Sequence, residues 1–127
     1  MRELILAIAI VESSLNPLAI GDNGESVGLL QISKPVVQDV NYFFKKNYTY
    51  EDRKDPKKSQ EIFYYYIKKW GNHYTNKTNK PLTTRVVCDL WNGGATAPYR
   101  KENNPKLRRN LDLYYSKVKN ILDTQIH

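Results

Sequence analysis

Apolar positions along this chain recur mostly at helical spacing. A run of eight apolar residues, Leu4 to Val11, ends in Glu12 and gives way to the polar, turn-forming Ser13-Ser14-Leu15-Asn16-Pro17. That pattern predicts a buried helix with a carboxylate at its end. Gly21-Asp22-Asn23-Gly24 follows as a turn-rich loop, and Val27 to Ile32 is the one stretch suited to a short extended segment. Ser33-Lys34-Pro35 opens a second helix with Val36, Val40 and Phe43/Phe44 on one face. Asp55-Pro56 opens a third, carrying Ile62, Tyr66 and Trp70 at i, i+4, i+8, with Gly71 expected to end it and Asn72 to Lys80 expected to be a polar loop. Thr83 or Thr84 caps a helix bearing Val86, Val87, Leu90 and Trp91, which runs into Asn92-Gly93-Gly94. Asn104-Pro105 starts the last, with Leu107, Leu111, Tyr114, Val118 and Ile121/Leu122 on one stripe. The expectation is a mainly α fold with at most a very short β element near residues 27–32. With no repeats and no long linker, residues 1–127 are expected to form a single domain.

Composition narrows the partners. The chain carries 20 Lys and Arg against 13 Asp and Glu, a net charge of +7, which suits nucleic acid, an anionic membrane surface or an anionic wall polymer. The basic residues are scattered in short groups such as Lys45-Lys46, Lys57-Lys58 and Arg108-Arg109, the pattern of a solvated surface. No nucleic-acid-binding motif accompanies them, so no nucleic-acid partner is expected. The aromatic run Phe63-Tyr64-Tyr65-Tyr66 reads as core and groove wall rather than a base-stacking platform. One cysteine, Cys88, excludes an internal disulfide and sits among apolar neighbours, as a buried small hydrophobe does. His73 and His127 lack metal-ligand spacing, so neither metal nor cofactor is expected. The first apolar run is too short to span a bilayer and shows no small-residue cleavage site, so membrane insertion and a signal peptide are not expected.

Glu12 is the candidate for chemistry. A carboxyl among apolar neighbours keeps its proton to higher pH than a free one, because burial penalises the charged form. Such a group can protonate a leaving oxygen near neutrality, the first step of glycosidic cleavage.

In order along the chain stand Glu12-Ser13, Asn16-Pro17, Gly28-Leu29-Leu30-Gln31, Trp91-Asn92-Gly93-Gly94 and Tyr114-Tyr115-Ser116-Lys117-Val118. Together they resemble the lysozyme-like lytic transglycosylases, over about residues 5–122. The resemblance implies a lysozyme-like helical fold and cleavage of the peptidoglycan bond between N-acetylmuramic acid and N-acetylglucosamine. It implies Glu12 as the catalytic acid and base. Ser13 and Gln31 match residues that hold the sugar or the carboxyl, Asn92 a groove residue contacting glycan, and Tyr114 a hydroxyl that orients Glu12. Trp91 stands where the family usually has Tyr, and keeps a stacking surface without the phenol. Gly93 stands where it has Ala, and Asn110, four before Tyr114, where an acid is usual.

In a transglycosylase the muramic acid's own 6-hydroxyl closes onto C1, leaving a 1,6-anhydro end, so neither a second carboxylate nor a held water is needed. The rival reading is a goose-type lysozyme, which hydrolyses the same bond with inversion. Asp22 matches one of its water-holding acids, while the other would fall at Ser33. Asp22 is equally suited to a plain turn role in Gly-Asp-Asn-Gly. A third reading is a glycan-binding virion or envelope module without catalysis. The expected partner is peptidoglycan, met by a monomer in the bacterial cell wall or periplasm. Delivery is expected as a phage lysin or virion-associated enzyme, or as the catalytic piece of a larger protein.

Overall fold

The computed structural model describes residues 1–126, with side chains described through residue 124. The chain is mainly α. Its elements run α1 (Arg2–Ser13), β1 (Ile20–Gly21), β2 (Ser26–Val27), β3 (Ile32–Ser33), α2 (Lys34–Phe44), α3 (Pro56–Thr78), α4 (Thr84–Gly93), α5 (Ala97–Arg100) and α6 (Pro105–Ile126). It divides into two compact units, residues 1–66 and 67–127, the division falling inside α3.

In the first unit, α1 buries Leu4, Ala7, Ile8 and Ala9 while Leu6 remains 43% exposed, so the apolar run is one-sided. The helix stops where Ser14 (φ 54°) and Leu15 (φ 65°) turn left-handed and their amides return to the Ile10 and Ala9 carbonyls. For a bulky Leu that backbone is strained, and such strain concentrates at functional sites. The sheet is antiparallel in the order β1-β2-β3, pairing Ile20 with Val27 and Val27 with Ile32. The extended stretch expected at 27–32 is therefore two strand ends flanking a tight turn at 28–31. Two-residue strands offer no alternation to read. In α2 the inward face is Val37 and Val40 rather than Val36 and Val40, with Phe44 half-buried and Phe43 exposed. Pro35 sits in its first turn, as expected.

Gly71 does not end α3, and Asn72 to Lys80 is not a loop: the helix runs to Thr78. A Cβ at Gly71 would lie 2.8 Å from Leu82 Cδ2, so the glycine makes room for Leu82 within an unbroken helix. Thr83 caps α4, its Oγ1 accepting from the Val86 amide. In α6, Leu111, Tyr114 and Val118 are buried and Leu107 half-buried, the stripe the spacing predicts.

Candidate active site

The end of α1 and the turn between β2 and β3 are built as one piece. Glu12 occupies the last turn of α1 and is half-buried. Beside it, Ser13 Oγ donates to the Leu29 carbonyl at 2.7 Å, lies 3.1 Å from the Ala9 carbonyl and accepts from the Asn16 amide. Asn16 Oδ1 then accepts from the Leu18 amide, which fixes the Asn-Pro corner. Gln31 adopts φ 53°, and its Nε2 donates to the Ala19 and Gly28 carbonyls at 3.1 and 3.0 Å. Its Oε1 rests where a Cβ on Gly21 would sit. Ser13 and Gln31 thus clasp this corner through main-chain carbonyls.

Gly28 has φ 89°, and a Cβ there would overlap the Arg53 carbonyl, so only glycine fits. Arg53 is 6% exposed. Its Nε donates to the Tyr50 carbonyl at 2.8 Å and its Nη1 to the Ile32 carbonyl at 3.0 Å, which ties the sheet to the helical turn at 50–54. A capping box between Thr49 and Asp52 fixes that turn. Asp22 is exposed, with φ 51°, and its Oδ2 accepts from Ser26 Oγ at 2.7 Å, closing the loop from β1 to β2.

Trp91, Asn92 and Tyr114 belong to the second unit. Trp91 is half-buried and Asn92 exposed at the end of α4, and Tyr114 is 8% exposed on α6. Gly93 has a local cause: a Cβ there would lie 2.6 Å from Ala97 Cβ and 2.9 Å from Leu111 Cδ2, so alanine has no room.

Three residues before Asn92 the sequence hides a charge network. Asp89 is fully buried and accepts from Arg85 Nε at 2.8 Å and Lys101 Nζ at 2.7 Å, while Arg85 Nη2 reaches Asp112 at 2.7 Å. A buried carboxylate with two cations satisfies the demand that interior charge be paired. The Arg85 guanidinium also covers the Tyr115 ring, 5.2 Å from its centroid. Sequence reading missed both Asp89 and Arg53. The i,i+4 spacing of Arg85 and Asp89 was the available sign for the first.

A mainly helical chain whose first helix ends in a half-buried Glu12 followed by Ser13, with Ser13 bonded to the Gly-x-x-Gln turn, has the architecture of the lysozyme-like enzymes. The chain belongs to the transglycosylase SLT domain family, which matches residues 1–106. It is a lytic, peptidoglycan-degrading enzyme. The matched residues include Glu12, Ser13, Asp22, Gln31, Trp91 and Asn92 and stop short of Tyr114. No curated protein and no solved structure matches the chain.

Proposed function

We infer that the protein cleaves the β-1,4 bond between N-acetylmuramic acid and N-acetylglucosamine with Glu12 as its single acid and base, leaving 1,6-anhydro-muramic ends. The observation that carries this reading is the position of Glu12. It closes the apolar helix α1 beside a corner that Ser13 and Gln31 hold rigid, and a catalytic group needs its surroundings fixed to about the tolerance of a hydrogen bond.

Glu12 donates its proton to the leaving oxygen as positive charge grows on the sugar ring, which the substrate's acetamido group stabilises. The resulting carboxylate then takes the proton of the muramic 6-hydroxyl as that oxygen bonds to C1. Water takes no part. The bond from Ser26 Oγ to Asp22 Oδ2 gives that carboxylate a turn-closing role, which accounts for Asp22 without inverting hydrolysis. Ser13 and Gln31 act by positioning, Trp91 and Asn92 by contacting the glycan, and Tyr114 by orienting catalysis through its hydroxyl. The enzyme acts as a monomer at the cell wall, delivered as a lysin or virion-associated protein or as the catalytic piece of a larger one.

Glu12→Gln keeps shape and removes the proton. It should bind sacculi while losing about 10²- to 10⁴-fold in turnover. Turnover within a few-fold of the parent would remove Glu12 from the mechanism. Tyr114→Phe should lower kcat more than it weakens sacculus binding, with Tyr115→Phe nearly silent; the reverse sensitivity would refute the assignment.

A further inference from the structure

The aromatic run on α3 is split in two. Phe63 and Tyr66 are buried, at 0% and 6% exposure, whereas Tyr64 is 52% exposed and Tyr65 half-buried. The outward pair lines a shallow hollow of about 540 Å³ with Pro56, Lys57, Gln60 and Glu61. Helical spacing puts Lys57, Gln60/Glu61 and Tyr64 on one face, so the hollow is a strip along the helix. The Tyr65 ring meets Tyr64 edge-on at 5.7 Å and leans on Phe44 at 4.8 Å. Lys46 Nζ lies 5.1 Å from the Tyr65 centroid, and Tyr48 donates its phenol proton to Glu61 Oε1 at 2.7 Å.

The stock of groups is specific. An aromatic face presents partial negative charge, which suits the axial C–H bonds of a pyranose ring. The Glu61 carboxylate and Gln60 amide accept and donate to hydroxyl and acetamido groups, and a few such polar groups in an aromatic bed set orientation. Lys46 and Lys57 bring positive charge to the rim. A polyphosphate backbone would meet the Glu61 carboxylate in the floor. A strand of neutral sugar rings with carboxylates at intervals meets hydroxyl acceptors in the floor and cations at the rim.

We propose that this α3 strip is a second glycan-binding surface, which holds a peptidoglycan strand by stacking on Tyr64, with Tyr65 backing it beneath Lys46, and by pairing strand carboxylates with Lys46 and Lys57. None of its residues belongs to the set assigned to cleavage. The proposal rests on the peptidoglycan reading above, and extends it: the protein is retained on the wall by a surface additional to the site that cuts.

The test uses sacculi stripped of phosphate-bearing polymers. In the Glu12→Gln background, Tyr64→Ala with Lys57→Gln should weaken retention on these sacculi at least about tenfold, and Tyr64→Phe, which keeps the ring, should restore most of it. With Glu12 intact, the same changes should leave turnover of short soluble glycan fragments unchanged while slowing digestion of whole sacculi. Undiminished retention overturns the surface, as does equal loss for Tyr64→Phe and Tyr64→Ala, or a parallel fall in fragment turnover. Failure of the unaltered protein to cut either substrate instead overturns the cleavage reading, and the retention measurement still decides the surface.

Discussion

In the first unit, the corner that carries Gln31 is held by side chains donating to main-chain carbonyls: Ser13 to Leu29, Gln31 to Ala19 and Gly28, and Arg53 to Tyr50 and Ile32. In the second, the helix α4 that carries Asn92 is held by charge, with Asp89 buried between Arg85 and Lys101. Irregular backbone has many carbonyls without helical or sheet partners, so donors can satisfy them directly. A helix has already paired its main chain. Its side chains must then be fixed by one another, and an interior carboxylate does so at high risk, because losing either cation leaves it uncompensated. The corner should therefore fail by close backbone approach, and α4 by loss of a charge.

The sharpest break should come at Gly28. Gly28 and Gly24 share positive φ, 89° and 91°, but a Cβ meets the Arg53 carbonyl at Gly28 and nothing within 4 Å at Gly24. Gly24→Ala should cost only the strain of the left-handed backbone, roughly 1–3 kcal/mol. Gly28→Ala adds a backbone overlap that no rotamer relieves and should exceed it clearly in urea denaturation. Equal losses at the two would mean that the approach of residue 53 to the turn is not tight.

Next in size is the charge network. Arg85→Met leaves Asp89 fully buried with one cation, and breaking a buried pair this way costs roughly 3–5 kcal/mol. Asp89→Leu leaves only cations that are 27% and 21% exposed and can hydrate, so it should cost less. Thermal melts of the two variants rank them, and the opposite order would show that Asp89 is not the sensitive member.

Smaller still is Ser13→Ala, which deletes a hydrogen bond worth about 1 kcal/mol. By loosening the corner beside Glu12 it should lower turnover more than that stability loss implies; an unchanged kcat would detach the corner from catalysis. The least effect is expected at Cys88. Burial pushes its thiol up to about 12, with the neighbouring Asp89 carboxylate adding to the rise, so the reactive thiolate is scarce at neutral pH. The folded protein should resist alkylation at pH 8, and rapid labelling would place Cys88 at the surface.

The two modes of support also explain what was legible. The Glu12 helix end shows in sequence because an apolar run stops abruptly at polar, turn-forming residues. The α6 stripe shows because Leu111, Tyr114 and Val118 keep helical spacing. The extent of α3 was obscured by Gly71, although the four-residue spacing of Ile62, Tyr66 and Trp70 continues through the half-buried Tyr74 and Thr78. A glycine reads as a stop until the residue filling its missing side chain, Leu82, is known. Arg53 left no trace, since its acceptors are carbonyls that any residue could supply. Asp89 was hidden in an apolar stretch, and its second cation, Lys101, arrives from beyond α5 with no spacing rule to announce it.

The most direct test of Glu12 chemistry is mass spectrometry of the ends released from purified sacculi digested in heavy-oxygen water. Closure by the substrate's 6-hydroxyl predicts anhydro-muramic ends one water lighter than reducing ends, free of heavy oxygen, and absent when Glu12→Gln is used. Reducing ends carrying the heavy label would contradict that closure and establish attack by water instead.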